Sequence, residues 1–337
     1  KRQAMNAPQK KSNPDVPQVV KPQRQMLDDT SVVHVVSQPS QPDEFGTIAA
    51  ALAHLSGGGI IEISENSEYE ISPTRLGHDV KITIRGVSGK RPVLCITPAL
   101  DPSFESEKTA FCIDGGHLTL SDLDVCVRSR NEGAGVRNLS VFELLNGGKL
   151  TCKNTEVVTA AVSTEEEVDV IEKNFFLARV ISFSEPEEPL DENADEGQPL
   201  SLQELSDRRV EEVSKGLIEM ENCAVNGDLT CFNCEEATAL SLSWVGGTVT
   251  TKKRFLTVDG SSVNSVESVD MQLQLRDATF TCNKGFARLA DAPGQDDVPQ
   301  MRVMTEHCRF IIPESSVLIE QVGVAEPEAY QLSLIHI

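Results

Sequence analysis

An eight-residue motif recurs along this chain and limits its fold more than any other property. The copies run from Leu118 to Val125, Leu150 to Val157, Ile218 to Val225, Leu273 to Phe280 and Val303 to Phe310. The first and third places hold apolar or small residues, which alternation by two puts on one face of a strand. The fifth is Asp122, Asn154, Asn222, Asp277 or His307. Asn and Asp tolerate left-handed dihedrals, so a sharp bend is expected there. The eighth, Val or Phe, returns an apolar side chain to the interior from the next strand. Weaker copies begin at Ile82 and Val249.

Successive starts lie 36, 32, 68, 31, 24 and 30 residues apart. All but one interval are near thirty, and glycine pairs at Gly115-Gly116, Gly147-Gly148 and Gly246-Gly247 supply tight corners between strands. Such spacing lacks the dense leucine pattern of a leucine-rich repeat and is short for a propeller blade. The expected fold class is all-β: a right-handed parallel β-helix in which each coil stacks on the last and buries a column of like residues. Before it, Phe45, Ile48, Leu52 and Leu55 fall at helical spacing, with Thr47 or Gly46 as cap and Gly57, Gly58 and Gly59 as stop. A short N-terminal helix capping the open end of the coil is expected from them.

The domain reading follows. Residues 1–42 hold six prolines and scarce apolar side chains, which predicts a Pro/Gln-rich disordered linker, with Val32 to Val36 as its one candidate strand. Residues 43–325 form the β-helix. The long interval carries an acidic insertion at 185–215, expected to leave one corner as a disordered loop followed by a short helix over Leu200 to Val213. The strand Leu177 to Phe183 continues the coil before it. Residues 326–337 read as a disordered or artefactual tail. The opening Lys1-Arg2-Gln3 and the final Leu332 to Ile337 resemble translated sequencing adaptor, and the expectation is a fragment of a longer protein.

The formal charge of −22, from 52 acidic and 30 basic residues, repels phosphate backbones and anionic lipid, so nucleic acid is not an expected partner. No stretch of 18 apolar residues occurs, so no membrane insertion is expected in this segment. Nine cysteines without a dense, even framework read as buried free thiols and argue for a reducing compartment.

The entrance resembles a known family. Phe45 to Leu52, Gly58 to Ile63, Ile82 to Gly86 and Arg91-Pro92-Val93 are similar to the opening of the pectin-lyase-like β-helix superfamily. The order of motifs, with Val317 to Gln321 near the end, resembles the β-helix region attached to large bacterial membrane-bound Ser/Thr protein kinases. That resemblance implies an extracytoplasmic location, a kinase domain in flanking sequence, and a sensor role; the cysteines keep the cytoplasm as the alternative. No kinase motif occurs in the chain itself.

Enzymes of that superfamily work on polysaccharides through carboxylate clusters, calcium or a basic residue. The candidates here each have a plainer reading. Asn154-Thr155-Glu156 is built on the bend residue, His117 precedes a strand, and Asp296-Asp297 sits in a Gly/Pro-rich loop. Arg85, Arg128, Arg276 and Lys284 share no motif. Cys231 and Cys234 have a zinc-knuckle gap with only Cys223 near, and core packing, a redox disulfide and zinc all remain open for them. Trp244 reads as core or corner packing before a ligand stack. No residue is therefore expected to be catalytic, cofactor-binding or metal-binding, and no cofactor is expected.

The functional expectation is a non-catalytic module presenting an elongated surface to a protein or carbohydrate ligand. A divergent polysaccharide lyase or glycoside hydrolase is the alternative, and a structural spacer the third. An enzyme would bring three or more carboxylate or basic side chains together in one outer groove. Such a cluster across the rungs starting at Leu118, Leu150 and Ile218 would lead us to drop the non-catalytic reading.

Overall fold

The computed structural model describes residues 31–96, 109–129, 138–161, 174–181, 215–235, 239–259, 270–290, 300–322 and 333–336. About two thirds of them are strand, in two parallel sheets, and the helix Ile48–His54 is the α-helix among them. The architecture is a curled parallel β structure compatible with a β-helix. The insertion at 185–215 lies outside the described residues apart from Lys215, as does the short helix expected within it.

Register makes the repeat physical. Ile82 pairs with Leu118, Leu118 with Leu150, Leu150 with Ile218, Ile218 with Leu242, Leu242 with Leu273 and Leu273 with Val303. The side chains of this column are all buried. The 68-residue interval is thus a single rung, because Ile218 lies directly beside Leu150. One position needs correction. The copy placed at Val249 starts seven residues earlier, at Leu242, and Val249 fills its eighth place beside Val225 and Phe280. It was displaced because Gly246 and Gly247 make its bend in place of Asn or Asp.

The bend occurs as the fifth residue predicts. Asp122, Asn154, Asn222, Asp277 and His307 have φ between 49° and 54°, the left-handed region. Asn222 Nδ2 donates to Asn154 Oδ1 at 3.4 Å, and Asn154 Nδ2 donates to Asp122 Oδ1 at 2.9 Å. Gly247, with φ at 84°, is obligatory: a β-carbon there would lie 1.9 Å from the Cys223 carbonyl oxygen.

The second sheet contributes one strand per rung, in chain order from Thr74–Leu76 to Ile319–Val322. Among these is Asn174–Ile181, the strand expected before the insertion. Inward residues of both sheets meet in one core. Towards the C-terminal end it becomes aromatic: Trp244, Phe255, Phe280 and Phe286 are fully buried, with ring centroids 4.8–6.0 Å apart. Trp244 is therefore a core residue, and its Nε1 donates to the Gly246 carbonyl at 2.8 Å.

At the N-terminal side, Thr47 caps the helix by accepting from the Ala50 amide at 3.2 Å, and Ile48, Ala51 and Leu55 are buried. The strand expected within residues 1–42 forms as Val32–Val35 and pairs with Gly59–Ile63, so residues 31–42 join the folded unit. Ser333–His336 is also a strand, paired with Gln300–Glu306, where the sequence led us to expect a disordered or artefactual tail.

Replacing Asn154 by Val forces a β-branched residue into the left-handed region and should destabilise the protein by about 1–2 kcal/mol. Asn154→Gly keeps the backbone and loses only the ladder, so its loss should be smaller. Urea denaturation of both variants checks the ranking, and the reverse order would contradict the bend assignment.

Candidate functional site

Each strand of the second sheet carries a polar residue between apolar neighbours, and the register stacks these on the outer face. Arg75 pairs with Cys112, Cys112 with Glu143, Glu143 with Arg179, Arg179 with Asn233, Asn233 with Thr257, Thr257 with Arg288 and Arg288 with Glu320. Two residues further along, Glu235 and Asp259 point to the same side.

Arg179 is the centre of the column. Its Nε and Nη2 donate to Glu235 Oε1 at 3.0 and 2.7 Å, and Nη2 also reaches Oε2 at 2.8 Å. Its Nη1 donates to Glu143 Oε2 at 3.4 Å. Asn233 Nδ2 donates to Glu235 Oε1 at 3.0 Å, and Asn233 Oδ1 accepts from the Thr257 hydroxyl at 2.6 Å. Arg288 Nη1 lies 3.4 Å from Asp259 Oδ1. Burial pushes the Glu143 and Asp259 carboxyls above the usual range, against the pull of Arg179 and Arg288 respectively, and the Glu235 charge adds to both shifts.

Glu143, Arg179 and Glu235 come from the rungs that start at Leu118, Leu150 and Ile218. Carboxylate and basic side chains from the three rungs named above thus meet on this outer face. Sequence reasoning missed these residues because it located only one strand of the second sheet. The signal was a lone charge inside a short apolar run: Phe142-Glu143-Leu144, Ala178-Arg179-Val180, Cys234-Glu235, Val258-Asp259 and Ala287-Arg288-Leu289.

The residues singled out earlier do not converge. Asn154 belongs to the bend ladder. Arg85 pairs with Glu62, Arg128 with Glu68 and Arg276 with Asp277. Asp296 and Asp297 lie outside the described residues. Cys223, Cys231 and Cys234 are buried thiols, with burial pushing Cys234 up to about 12; among the described residues no group of three or more His, Cys, Asp or Glu could hold a metal ion. His117, on the outer face of the first sheet, has structure around it. Its Nε2 lies 3.0 Å from the Thr151 hydroxyl, which donates to Glu219 Oε2 at 3.1 Å. With that proton committed, the Thr151 oxygen accepts from His117, which fixes the Nε2–H tautomer. Burial, then Lys149, lowers the His117 pKa.

No protein-family model matches this sequence, and no curated protein matches it significantly. No helix among the described residues is long and apolar enough to cross a membrane.

The ion-pair column has a consequence for stability. Arg179→Met strands two partly buried carboxylates and should cost about 3 kcal/mol at neutral pH. Glu143, held protonated more readily folded than unfolded, stabilises below the ordinary carboxylate range and loses that contribution as pH rises through its raised pKa. Glu143→Gln, which mimics the protonated carboxyl, should therefore match the wild type near pH 4 (about the ordinary carboxylate range), flatten the fall of stability above it, and be no less stable at neutral pH. Urea midpoints measured across pH 4–8 (roughly the span of carboxylate and histidine titration) would show both effects. A large neutral-pH loss in Glu143→Gln would contradict the sign.

Proposed function

We propose that this chain is a ligand-presenting module: a right-handed parallel β-helix, closed at its N-terminal end by the helix Ile48–His54, whose outer faces offer an elongated surface to a protein or glycan. The observation that carries the reading is the polar column from Arg75 to Glu320, set at rung intervals of about 4.8 Å on a rigid face. Such a column presents the remaining lone pairs and N–H groups of its paired side chains, at one regular spacing, to a ligand that lies along the helix axis. Kinship with the pectin-lyase-like superfamily, and a place as the extracytoplasmic sensor region of a Ser/Thr kinase-type receptor, rest on the entrance motifs and on Val317 to Gln321.

A divergent polysaccharide lyase or hydrolase is the second reading, and the convergence of Glu143, Arg179 and Glu235 favours it. That convergence removes the absence of a catalytic constellation as a reason to prefer binding. By the criterion set above it would displace the binding reading, which we keep because the three groups are paired with one another. Arg179 uses three nitrogens on the two carboxylates, and Glu235 accepts from both Arg179 and Asn233. An acid–base pair needs both carboxyls turned to one bond of the substrate.

Titrating the protein with a panel of soluble neutral and acidic polysaccharides, while following chain length by size-exclusion chromatography, separates the readings. The expected result is binding without shortening, weakened at least about tenfold in Arg179→Met or Glu143→Gln, the loss of roughly one charge-assisted hydrogen bond. Thermal melts identify any variant that has unfolded. Shortened chains released by the wild type but not by Glu235→Gln would replace the binding reading with the enzymatic one. Wild-type protein that binds no member of the panel, and captures no protein, would favour a spacer.

A further inference from the structure

On the outer face of the first sheet, away from the proposed binding column, Cys126 pairs in register with Cys95 on the adjacent rung. Their strand neighbours Leu94, Val125 and Val127 are buried in the core, so by alternation both thiols point outward. Cys126 is partly exposed, whereas Cys95 is only 1% exposed. Arg128 lies two residues beyond Cys126 on the same strand face, is held by Glu68 at 2.6 Å, and acts on the Cys95 thiol. An accessible thiol beside a cation, with a second thiol next to it, is the arrangement that thiol–disulfide exchange needs.

We propose that Cys126 and Cys95 form a reactive dithiol that exchanges with small-molecule disulfides, Cys126 attacking and Cys95 resolving. The Cys126 thiolate attacks one sulfur of the small disulfide, forms a mixed disulfide and expels one small thiolate. Cys95 gives its proton to solvent, attacks Cys126 Sγ and expels the second. The protein loses two thiol protons and two electrons, and the small disulfide is reduced to two thiols.

Neighbouring strands hold the two Cα atoms about 4.8 Å apart, inside the range of about 4.4–6.8 Å that a disulfide spans. Parallel side chains leave the Cβ atoms at nearly the same separation, wider than the usual 3.5–4.5 Å or so, and the resulting strain makes the bond readily reducible. Burial pushes the Cys95 thiol up to about 11, with Arg128 pulling the other way, so the resolving step is slow at neutral pH.

The test is to treat the folded protein with glutathione disulfide, quench with an alkylating agent and map the peptides by mass. Cys126 should carry the first adduct, and a Cys95–Cys126 disulfide should follow, faster at pH 9 than at pH 7 (about half a unit above and one and a half below a typical thiol). In Cys95→Ser the adduct on Cys126 should persist. Arg128→Gln, which keeps both thiols, should slow the first step by about threefold or more through loss of the neighbouring cation. Adducts on Cys112 or Cys308 with Cys126 unmodified would overturn the proposal. So would an equally persistent Cys126 adduct in wild type and Cys95→Ser.

Discussion

The left-handed bend repeated on the six rungs from Leu118 to Val303 is the constraint on which the rest of this structure depends. A parallel stack is stable only if each coil turns at the same place, so that every strand meets the one before it in register. Asp122, Asn154, Asn222, Asp277 and His307 take that turn with φ near 50°, and Gly246 takes it where the repeat has no Asn or Asp. Two of the amide side chains then donate down the stack, from Asn222 to Asn154 and from Asn154 to Asp122. The corner thus satisfies its own polar groups while fixing the register.

Register has two products. Inside, it lines up Ile82, Leu118, Leu150, Ile218, Leu242, Leu273 and Val303, and it builds the aromatic end around Trp244 and Phe255. Outside, it lines up Glu143, Arg179 and Asn233, and it sets Cys95 beside Cys126. The same stacking that supplies hydrophobic stability therefore decides which surface groups can act together. Residues 68 apart become rung neighbours: Lys153 Nζ lies 3.0 Å from Glu221 Oε2. The coil closes across the interval that contains the acidic insertion because loop closure grows only slowly more costly with length.

The first sheet was legible in the sequence because its signature combines period-two alternation with a residue type that tolerates positive φ. The copy at Leu242 was misplaced because glycines carry its bend and Trp244 fills its third place. The second sheet was mostly illegible. Positive φ follows two of its strands, at Gly115 and at Asn146-Gly147, but marks no fixed place in the repeat, and runs such as Ala287-Arg288-Leu289 are too short to read by periodicity. The outer column was lost with them, since Glu143 and Arg179 are neighbours only through pairings that sequence spacing does not reveal. The plain readings of Asn154 as a bend residue and Trp244 as core agree with the structure, because each rested on a backbone or packing requirement.

The central claim is that residues sharing a place in the repeat are separated by whole rungs, whatever their distance along the chain. Spin labels placed at outward positions through unnatural amino acids, leaving the thiols untouched, test it by pulsed dipolar spectroscopy. Arg85 stacks through Ser121, Lys153, Glu221 and Val245 to Arg276. Labels at Arg85 and Arg276 should lie about 24 Å apart, five rung spacings, and labels at Arg85 and Glu306 about 29 Å apart. Equal distances for the two pairs, or a separation that grows by an extra coil across the 68-residue interval, would contradict the stacking.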